Sequence, residues 1–547
     1  MVLIAAIAGC DHQVVGPRAH PPLAPAFSVG ASPVIVRDAE RPFAELAKVI
    51  PSSAGFYYDK NGDLVVRVRD TTEFGRVATA IATLVSGNKI RLSPEASPNP
   101  PVVVQGADFT FNQLAVWRDT VGAYFDRTGV PGVVSLDLDE VGNRVTIGVH
   151  GSADLVAIRA QLTALGVPSN AIRFRASGLF RFDVRKVESS KWTGAARGLA
   201  FFTDADIDST ASTMIGGLRI GLQWSSADAT CTLAFPVTHV QSGVEKTGFI
   251  TASHCTEKLF GYDGDEVYQT QIQDGGASVG YEDHDPDFYT CGLYKCSVSD
   301  AAFIKTNSGV SVGLGLLAKS TGTNYMYDPS NPWIITRTET GNLYVNETVT
   351  YTGGTSGYHT ASITNTCVDF WHDELFYKTT CEDETDGAVS GGDSGGPVFI
   401  PVVSGGHEVI AAGLISGDDG NGMTFTRVSR IADDFSGEGA TVSFIAPATI
   451  SPPTLSGTTD ANNHPALSWT AVSGVLSYDV YRFQYDSSCS PITTGDGYVG
   501  STTLTAYGDA SVTVGGGPLC PYVQYWVTAS TNSAYTGASN VASFTTQ

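Results

Sequence analysis

The feature that most limits the fold is a change of hydrophobic period partway along the chain. Up to about residue 185, apolar residues recur at helical spacing in "RPFAELAKVI", "TEFGRVATAIATLVSG", "FNQLAVWRDTVGAYFDRTG" and "SADLVAIRAQLTALG". Between them "DLVVRVRD" alternates as a strand does, and "VVSLDLDEVGNRVTIGVHG" reads as a hairpin turning at Glu140–Asn143. From Met214 onward the text is short strands broken by turns. A chain of 547 residues is too long for one core. The expected organisation is therefore multidomain. Residues 1–35 are a signal-like segment and a Pro/Ala-rich linker, 36–190 an α+β region, and 191–213 a small polar connector. Residues 214–445 are all-β, 446–453 a linker punctuated by "SPP", and 454–547 an all-β sandwich. The α+β front holds no cluster suited to catalysis. Its His150, at a strand end with no partner in the text, reads as structural.

Charge and cysteines narrow the function classes. Lys and Arg number 32 against 55 Asp and Glu, a net charge of −23, with no long basic run, so nucleic acid is not a partner. Eight of the nine cysteines fall late, at Cys231, Cys255, Cys291, Cys296, Cys367, Cys381, Cys489 and Cys520. We read them as four sequential pairs in an oxidising compartment, although spacing does not fix connectivity. No CxxC spacing is present, and no motif calls for a metal or a cofactor. The ninth, Cys10, ends the apolar run "MVLIAAIAGC", which is too short to span a membrane. It looks like the lipobox of a bacterial lipoprotein, in which Cys10 would be lipidated and attach the chain to a membrane. The basic start of an export signal is missing.

Three elements of the all-β text carry chemistry. "GFITASHC" ends a strand at His254, "SVSDAAFIK" opens one at Asp300, and "GGDSGGP" presents Ser394 on bare backbone. Acyl transfer needs a nucleophile, a base for its proton, and a carboxylate that fixes the base's tautomer. Histidine suits the base because it ionises near neutrality. The glycines then have a purpose, since a tetrahedral oxyanion must be met by backbone N–H groups at close approach. Those of Gly392 and Ser394 are expected to form that hole. Asp393 shares the nucleophile's turn and is expected to support the loop through an ion pair. Asp285 and Asp287 in "YEDHDPDF" compete with Asp300, but that run reads as a solvated loop, and with His284 it has no recognised metal spacing. The same letters also match the G-x-S-x-G elbow. That elbow must turn into a helix, whereas here Pro397 and "VFIPVV" continue as strand.

On these residues the chain resembles a family. "MIGGLRI", "CTLAF", "GFITASHC", "SDAAFI" and "GGDSGGP" look like the chymotrypsin-like serine endopeptidases. The likeness is strongest to the secreted bacterial branch of alpha-lytic protease and the streptogrisins, and "ETVTYTGGTSGYHTASITNTC" adds to it. The resemblance covers about 214–444. It implies a double β-barrel, with His254 as general base, Asp300 as its orienter and Ser394 as nucleophile. It also implies a Cys231–Cys255 bridge beside the histidine, whose loop of about 25 residues is worth ~3 kcal/mol. Peptides or proteins are the implied substrates. Residues 36–190 look like that branch's pro-region, a partner that assists a slow-folding barrel and is then removed. Cleavage is expected within 190–214, with Ile215-Gly216-Gly217 as the mature start. The chain would be secreted or anchored to a bacterial envelope. The tail resembles a fibronectin type III module through Trp469, Tyr478, Tyr481, Tyr525 and Trp526, with a surface or polymer ligand as its binding role if it is more than a spacer.

Departures from the family pattern bear on specificity. The position that holds an aspartate in trypsin-like pockets is Ala388, followed by Val389, which argues against a basic side chain. Ser416 is expected near the triad, and Gly417 open for pairing with substrate backbone. Asp418 and Asp419 are placed to reach a basic group. A medium or large apolar residue is the expected preference, and the insertion "YMYDPSNPWIITRTETGNLY" is expected to reshape the cleft.

Overall fold

The computed structural model describes residues 37–545 apart from 88, 91–99, 152, 183–184, 188–204, 207–212, 226–227, 270–275, 320–325, 328–331, 340–342, 373–375, 403–406, 446–451, 473–474, 486–496, 516–521 and 532–540. Cys10, Cys489 and Cys520, and most of the two expected connectors, lie outside the described residues.

The front region builds the elements its periodicity predicts. Helices α1 (Arg41–Val49) and α2 (Phe74–Ser86) accompany a sheet of β1 (Ser53–Tyr58), β2 (Leu64–Val68) and β3 (Val102–Gly106). Helix α3 (Phe111–Thr128) starts at a capping box, in which Thr110 Oγ1 accepts from the Gln113 N–H and the Gln113 side chain accepts from the Thr110 N–H. It stops at Gly129 in the left-handed region. Strands β4 (Val133–Asp139) and β5 (Arg144–Val149) form the expected hairpin. Asn143 turns it at φ 53°, and its side-chain oxygen accepts from the N–H groups of Asp108 and Phe109. Helix α4 (Leu155–Ala164) leads to β6 (Ile172–Ala176), parallel to β5.

Among its described residues the central region is strand and turn, apart from a single 3-10 turn at Ser253–Cys255 and helix α5 (Val428–Gly437) near its end. One sheet carries Phe235–Gln241, Val244–Thr251, Ala302–Thr306, Ala277–His284, Glu266–Gln269, Arg219–Gln223 and Asp228–Thr232, side by side in that order. Phe235, Phe249, Phe303, Leu414 and Phe435 fill the core beneath it. A second sheet is built around Gly357–His372, Tyr377–Thr385, Pro397–Pro401, Glu408–Asp418 and Met423–Arg427. Among the described residues three disulfides are formed, Cys231–Cys255, Cys291–Cys296 and Cys367–Cys381, the sequential pairs expected of these six residues.

The second sheet does not stop at the central region. Strand β4 pairs antiparallel with Gly357–His372, matching Leu136 to Asp369 and Ser135 to Phe370, so β4, β5 and β6 extend it. The insertion also serves this contact. Its Trp333–Thr338 segment is a strand parallel to Glu408–Asp418. Beyond it, Tyr344 is fully buried against Phe43, Phe56 and Tyr58 of the front region. The insertion therefore braces the front region, where the sequence suggested a change to the cleft.

The C-terminal region is a sandwich of two small sheets. One runs Leu455–Thr459, Pro465–Trp469, Ala506–Gly508, and the other Gly497–Thr502, Val475–Tyr485, Tyr522–Thr531, Ala542–Thr545. Trp469, Tyr478, Tyr525 and Phe544 pack between them. Tyr481 Oη and Thr528 Oγ1 both donate to Glu408 of the central region, at 2.6 and 3.0 Å.

Candidate active site

His254 sits on a single tight turn, Ser253–Cys255, at the end of strand Val244–Thr251. Asp300 precedes strand Ala302–Thr306, the neighbour of that strand, so register alone brings the two together. Asp300 Oδ2 lies 2.6 Å from His254 Nδ1, and its Oδ1 accepts from the His254 backbone N–H at 3.1 Å. Both residues are buried. This fixes the tautomer: Nδ1 carries the proton and Nε2 is left to accept one.

Ser394 lies on the loop between Ser390 and Pro397. Its carbonyl accepts from the Thr232 N–H, beside the Cys231–Cys255 bridge, which places the loop against the His254 turn. The loop needs its glycines. Gly392 and Gly395 have φ of +102° and +77°, and a Cβ on Gly395 would strike Thr251 Oγ1 and the Thr232 carbonyl. The N–H groups of Asp393, Gly395 and Gly396 are taken up by Ser390, Ile415 and Asp393 carbonyls. Among the described residues, those of Gly392 and Ser394 have no acceptor, as donors kept for an oxyanion would. Neither Ser394 Oγ nor His254 Nε2 has a hydrogen-bond partner among the described residues, although both are buried. The hydroxyl–imidazole contact is the one link of the three-residue chain left open.

Several expectations are corrected. Among the described residues Asp393 holds its loop by hydrogen bonds and not by an ion pair. Its carboxylate accepts from the N–H groups of Thr355, Ser356 and Ser390 and from the Ser356 hydroxyl. Dipoles that converge from a folded loop replace a cation here. The "YEDHDPDF" run is no solvated loop, since Glu282, His284 and Asp285 are buried. Asp285 accepts from Ser253 Oγ at 2.7 Å, and burial followed by the nearby Glu282 charge pushes its carboxyl well up. His284 bridges His239 and Glu438, at 2.8 Å to each. Gly417 does not itself pair with a passing strand; Asp418 does, and Gly417 leaves the room.

That passing strand comes from the front region. Beyond β6 the chain runs antiparallel to Asp418. The Arg181 N–H donates to the Asp418 carbonyl at 2.8 Å, and the Asp418 N–H donates to the Arg181 carbonyl at 3.1 Å. A Cβ on Gly417 would stand 2.1 Å from that Arg181 carbonyl. The Phe182 ring stacks on His254 at 4.5 Å between centroids and on His372 at 4.6 Å. Phe180 packs edge-on to His372 and against Phe370. Burial, then the neighbouring His254, pushes the His372 imidazole down to about 3, so it is neutral under this cover.

The expected pocket residues divide. Ala388 is exposed, and its carbonyl accepts from Tyr351 Oη at 2.7 Å. Val389 packs against the apolar cluster that includes Ile415, Met423 and Phe425. Ser416 turns its hydroxyl to Glu382 at 3.0 Å, and Thr426 donates to the same carboxyl at 2.8 Å while accepting from the Asp300 N–H at 3.3 Å. Burial, then the charge of Asp300, pushes the Glu382 carboxyl up to about 8. Asp419 accepts from Ser177 Oγ and lies 3.7 Å from Arg175. Sequence reasoning missed Phe182, His372 and Glu382. For the first, the aromatic pair in "GLFRFD" just ahead of a polar connector was a usable signal.

Among the described residues no helix is long and apolar enough to cross a membrane, and no group of acids, histidines and cysteines is placed to hold a metal ion. No family model and no curated protein matches the chain. Among solved structures, the chain is similar to a glutamic acid-specific serine protease described as using a histidine triad in substrate binding, at 20% identity and a TM-score of 0.30, over 42% of this chain and 100% of that one. It is similar to Protease A of Thermobifida fusca at 21% identity and a TM-score of 0.30, over 42% of this chain and 99% of that one. It is also similar to an Fn3-like protein from Clostridium thermocellum at 27% identity and a TM-score of 0.13, over 18% of this chain and 92% of that one.

Proposed function

We propose that this chain is a serine endopeptidase made as a precursor, secreted or held at the cell surface, with its front region as its own inhibitor. The observation that carries the reading is the buried His254–Asp300 pair facing the Ser394 loop, on which two backbone donors are left over. In the reaction Ser394 Oγ adds to a peptide carbonyl carbon while His254 Nε2 takes the hydroxyl proton. Asp300 stabilises the imidazolium through Nδ1. The N–H groups of Gly392 and Ser394 receive the oxyanion, each worth about 3 kcal/mol in a site of this kind. The C–N bond breaks as His254 returns the proton to the departing amine. Water, deprotonated by the same nitrogen, then releases the acyl group as a carboxylate.

A protein or peptide is the substrate in this reading, and the apolar surround of Val389 supports an apolar side chain before the cut. The three disulfides support an oxidising compartment. The open contact between Ser394 Oγ and His254 Nε2 favours one alternative, a binding protein on a protease-like scaffold. A fluorophosphonate probe separates the two. Processed wild-type protein labels at Ser394 and Ser394→Ala does not, whereas a scaffold leaves folded wild-type protein unlabelled.

A further inference from the structure

Three strands of the second sheet lie side by side in the order Tyr377–Thr385, Met423–Arg427, Glu408–Asp418. Asp383 pairs with Phe425 and Glu384 with Thr424, so the next step of that register sets Glu382 opposite Thr426. On the far strand Ser416 is the extra residue of a bulge between the Ile415 and Gly417 pairings, and a bulge re-aims the side chain it carries. The result is a closed ring of three side chains. Ser416 Oγ lies 3.0 Å from Glu382 Oε2 and 3.0 Å from Thr426 Oγ1, and Thr426 Oγ1 lies 2.8 Å from Glu382 Oε1. All three residues are buried. The ring meets the candidate site at Thr426 Oγ1, which accepts from the Asp300 N–H at 3.3 Å.

The ring has three contacts, and its two hydroxyls hold one proton each. An ionised carboxylate only accepts. With Glu382 ionised, both hydroxyls turn to it, and Ser416 and Thr426 meet oxygen to oxygen with no proton between them. With Glu382 protonated, three protons serve three contacts and each member donates once. The surroundings agree. Asp300 carries the negative charge that faces the His254 imidazole, and burial followed by that charge pushes the Glu382 carboxyl up to about 8. Arg430 of α5 acts in the other direction, its guanidinium bound to the Val298 carbonyl and Thr380 Oγ1. The next two acids on the strand of Glu382 are paired, Asp383 with Arg427 and Glu384 with Arg175.

We infer that Glu382 is a positioning residue for the reaction at Ser394: protonated, it closes a ring that seats the backbone of Asp300 and puts no second negative charge beside that carboxylate. The inference rests on the peptidase reading and deepens it. Asp300 orients His254 through both carboxylate oxygens, from a backbone whose N–H the ring holds. Glu382 therefore acts through Asp300 and not on the substrate. Loss of its proton leaves one contact of the ring without a hydrogen and loosens that seat, so the ring also sets an alkaline limit on the reaction.

The test expresses the full chain and compares processed wild type with Glu382→Leu, Glu382→Gln and Thr426→Val, each first shown to be folded by circular dichroism. Leucine removes the ring. Glutamine donates and accepts as a protonated acid does, and it cannot ionise. At pH 7 the rate of fluorophosphonate labelling at Ser394 is expected to fall about tenfold or more in Glu382→Leu and Thr426→Val, and Glu382→Gln is expected to recover it to within about threefold of wild type. A folded variant that stays unprocessed counts as inactive, and if Glu382→Leu does not fold, Thr426→Val carries the comparison. The wild-type rate should fall above about pH 8, and Glu382→Gln should lack that fall. Difference infrared spectra of Ser394→Ala with and without Glu382→Gln read the proton without any activity, and a protonated carboxyl band lost with Glu382 is expected at pH 7. No such band, or Glu382→Gln as slow as Glu382→Leu, overturns the protonated ring. Thr426→Val and Glu382→Leu that label as fast as wild type overturn the positioning role. Either result leaves the peptidase reading standing. Folded, processed wild-type protein that does not label overturns that reading, and the role of the ring in the reaction with it.

Discussion

Two of the contacts between the front region and the central region are built on different physics. At the sheet junction, β4 continues a sheet and charge fills the seam. Arg37 and Lys378 both reach Asp369, at 2.6 and 3.0 Å, and Lys378 also reaches Asp126. Burial alone would push Asp369 up, but the two cations outweigh it and hold the carboxylate well below its usual range. Arg175 forks onto Glu384. At the cleft the contact is one extended segment, with two backbone hydrogen bonds at Arg181, a short strand pairing at Arg185–Val187 and two aromatic rings on histidines. The junction has the means to hold a folded domain. The cleft contact is slighter, and in the proposed peptidase reading its partners are those a passing peptide would use. Holding and presenting are separate jobs here, so each can be broken without the other.

The largest expected effect breaks the cleft alone. Asp300→Asn leaves His254 without the carboxylate that fixes its tautomer. Peptide hydrolysis by the processed enzyme is expected to fall on the order of 10⁴-fold in kcat. The precursor should stay uncut, while its urea midpoint moves little compared with changes at the junction. A loss under tenfold in hydrolysis would remove Asp300 from the mechanism.

How much of this could be read from the letters differs between the two contacts. The helices and the β4–β5 hairpin were legible, because local period and turn residues encode them. The pairing of His254 with Asp300 follows from neighbouring strands, so a motif reading reaches it. The run "CEDET" shows the limit. Glu382, Asp383 and Glu384 are consecutive acids that look solvated, yet all three are buried. Glu382 meets hydroxyls beside Asp300, Asp383 binds Arg427 at 2.6 Å, and Glu384 binds Arg175 of the front region. Each partner is distant in sequence, and no local pattern encodes it. The pair His239 and His284 makes the complementary point. It is a buried, hydrogen-bonded histidine pair that ends on Glu438 and packs against Phe303 and Phe435. An acid–histidine pair becomes a candidate site only beside a loop such as that of Ser394.

The next effect breaks the junction. Arg175→Met strands Glu384 in a buried seam. Since Arg175 is partly exposed, the loss is expected at about 2–3 kcal/mol, under the full cost of orphaning a buried charge. Urea unfolding of the Ser394→Ala precursor checks it. Self-cleavage in the otherwise wild-type chain should persist, because Arg175 does not touch the cleft segment. Loss of cleavage with an unchanged urea midpoint would show that the two contacts are one.

The cleft contact should also be the acid-sensitive one. Covered, His372 titrates at about 3; uncovered, it returns to the ordinary 6.5. Below 6.5 the open state takes up a proton that the covered state excludes, so acid favours opening. Between pH 7 and 5 the open population should rise roughly twentyfold. Amide exchange at Arg181 in the Ser394→Ala precursor, corrected for intrinsic rate, reads this directly. His372→Phe keeps a ring in the slot and should abolish the dependence. A mutant that keeps it would assign the acid response to another group.

The smallest effect comes from the junction and has the opposite sign. Glu140 is buried against Thr366, and burial pushes its carboxyl from the ordinary 4.5 up to about 8. In the docked state it keeps its proton to that pH; in the separated state it loses the proton above 4.5. Docking therefore weakens as pH rises between those values, by about fivefold at most from pH 7 to 8. The fraction of cut front fragment that stays with the central region on size exclusion measures it, and Glu140→Gln should flatten the curve. Asp137 is the control. Both its carboxylate oxygens are buried without a hydrogen-bond partner among the described residues, and burial with its acidic neighbours pushes it well up. If Asp137→Asn and not Glu140→Gln removes the alkaline limb, the weak point of the seam is the unpartnered acid on β4. The acid limb at His372 and the alkaline limb at the junction then bracket a pH range in which the front region is held most firmly, each limb belonging to one contact.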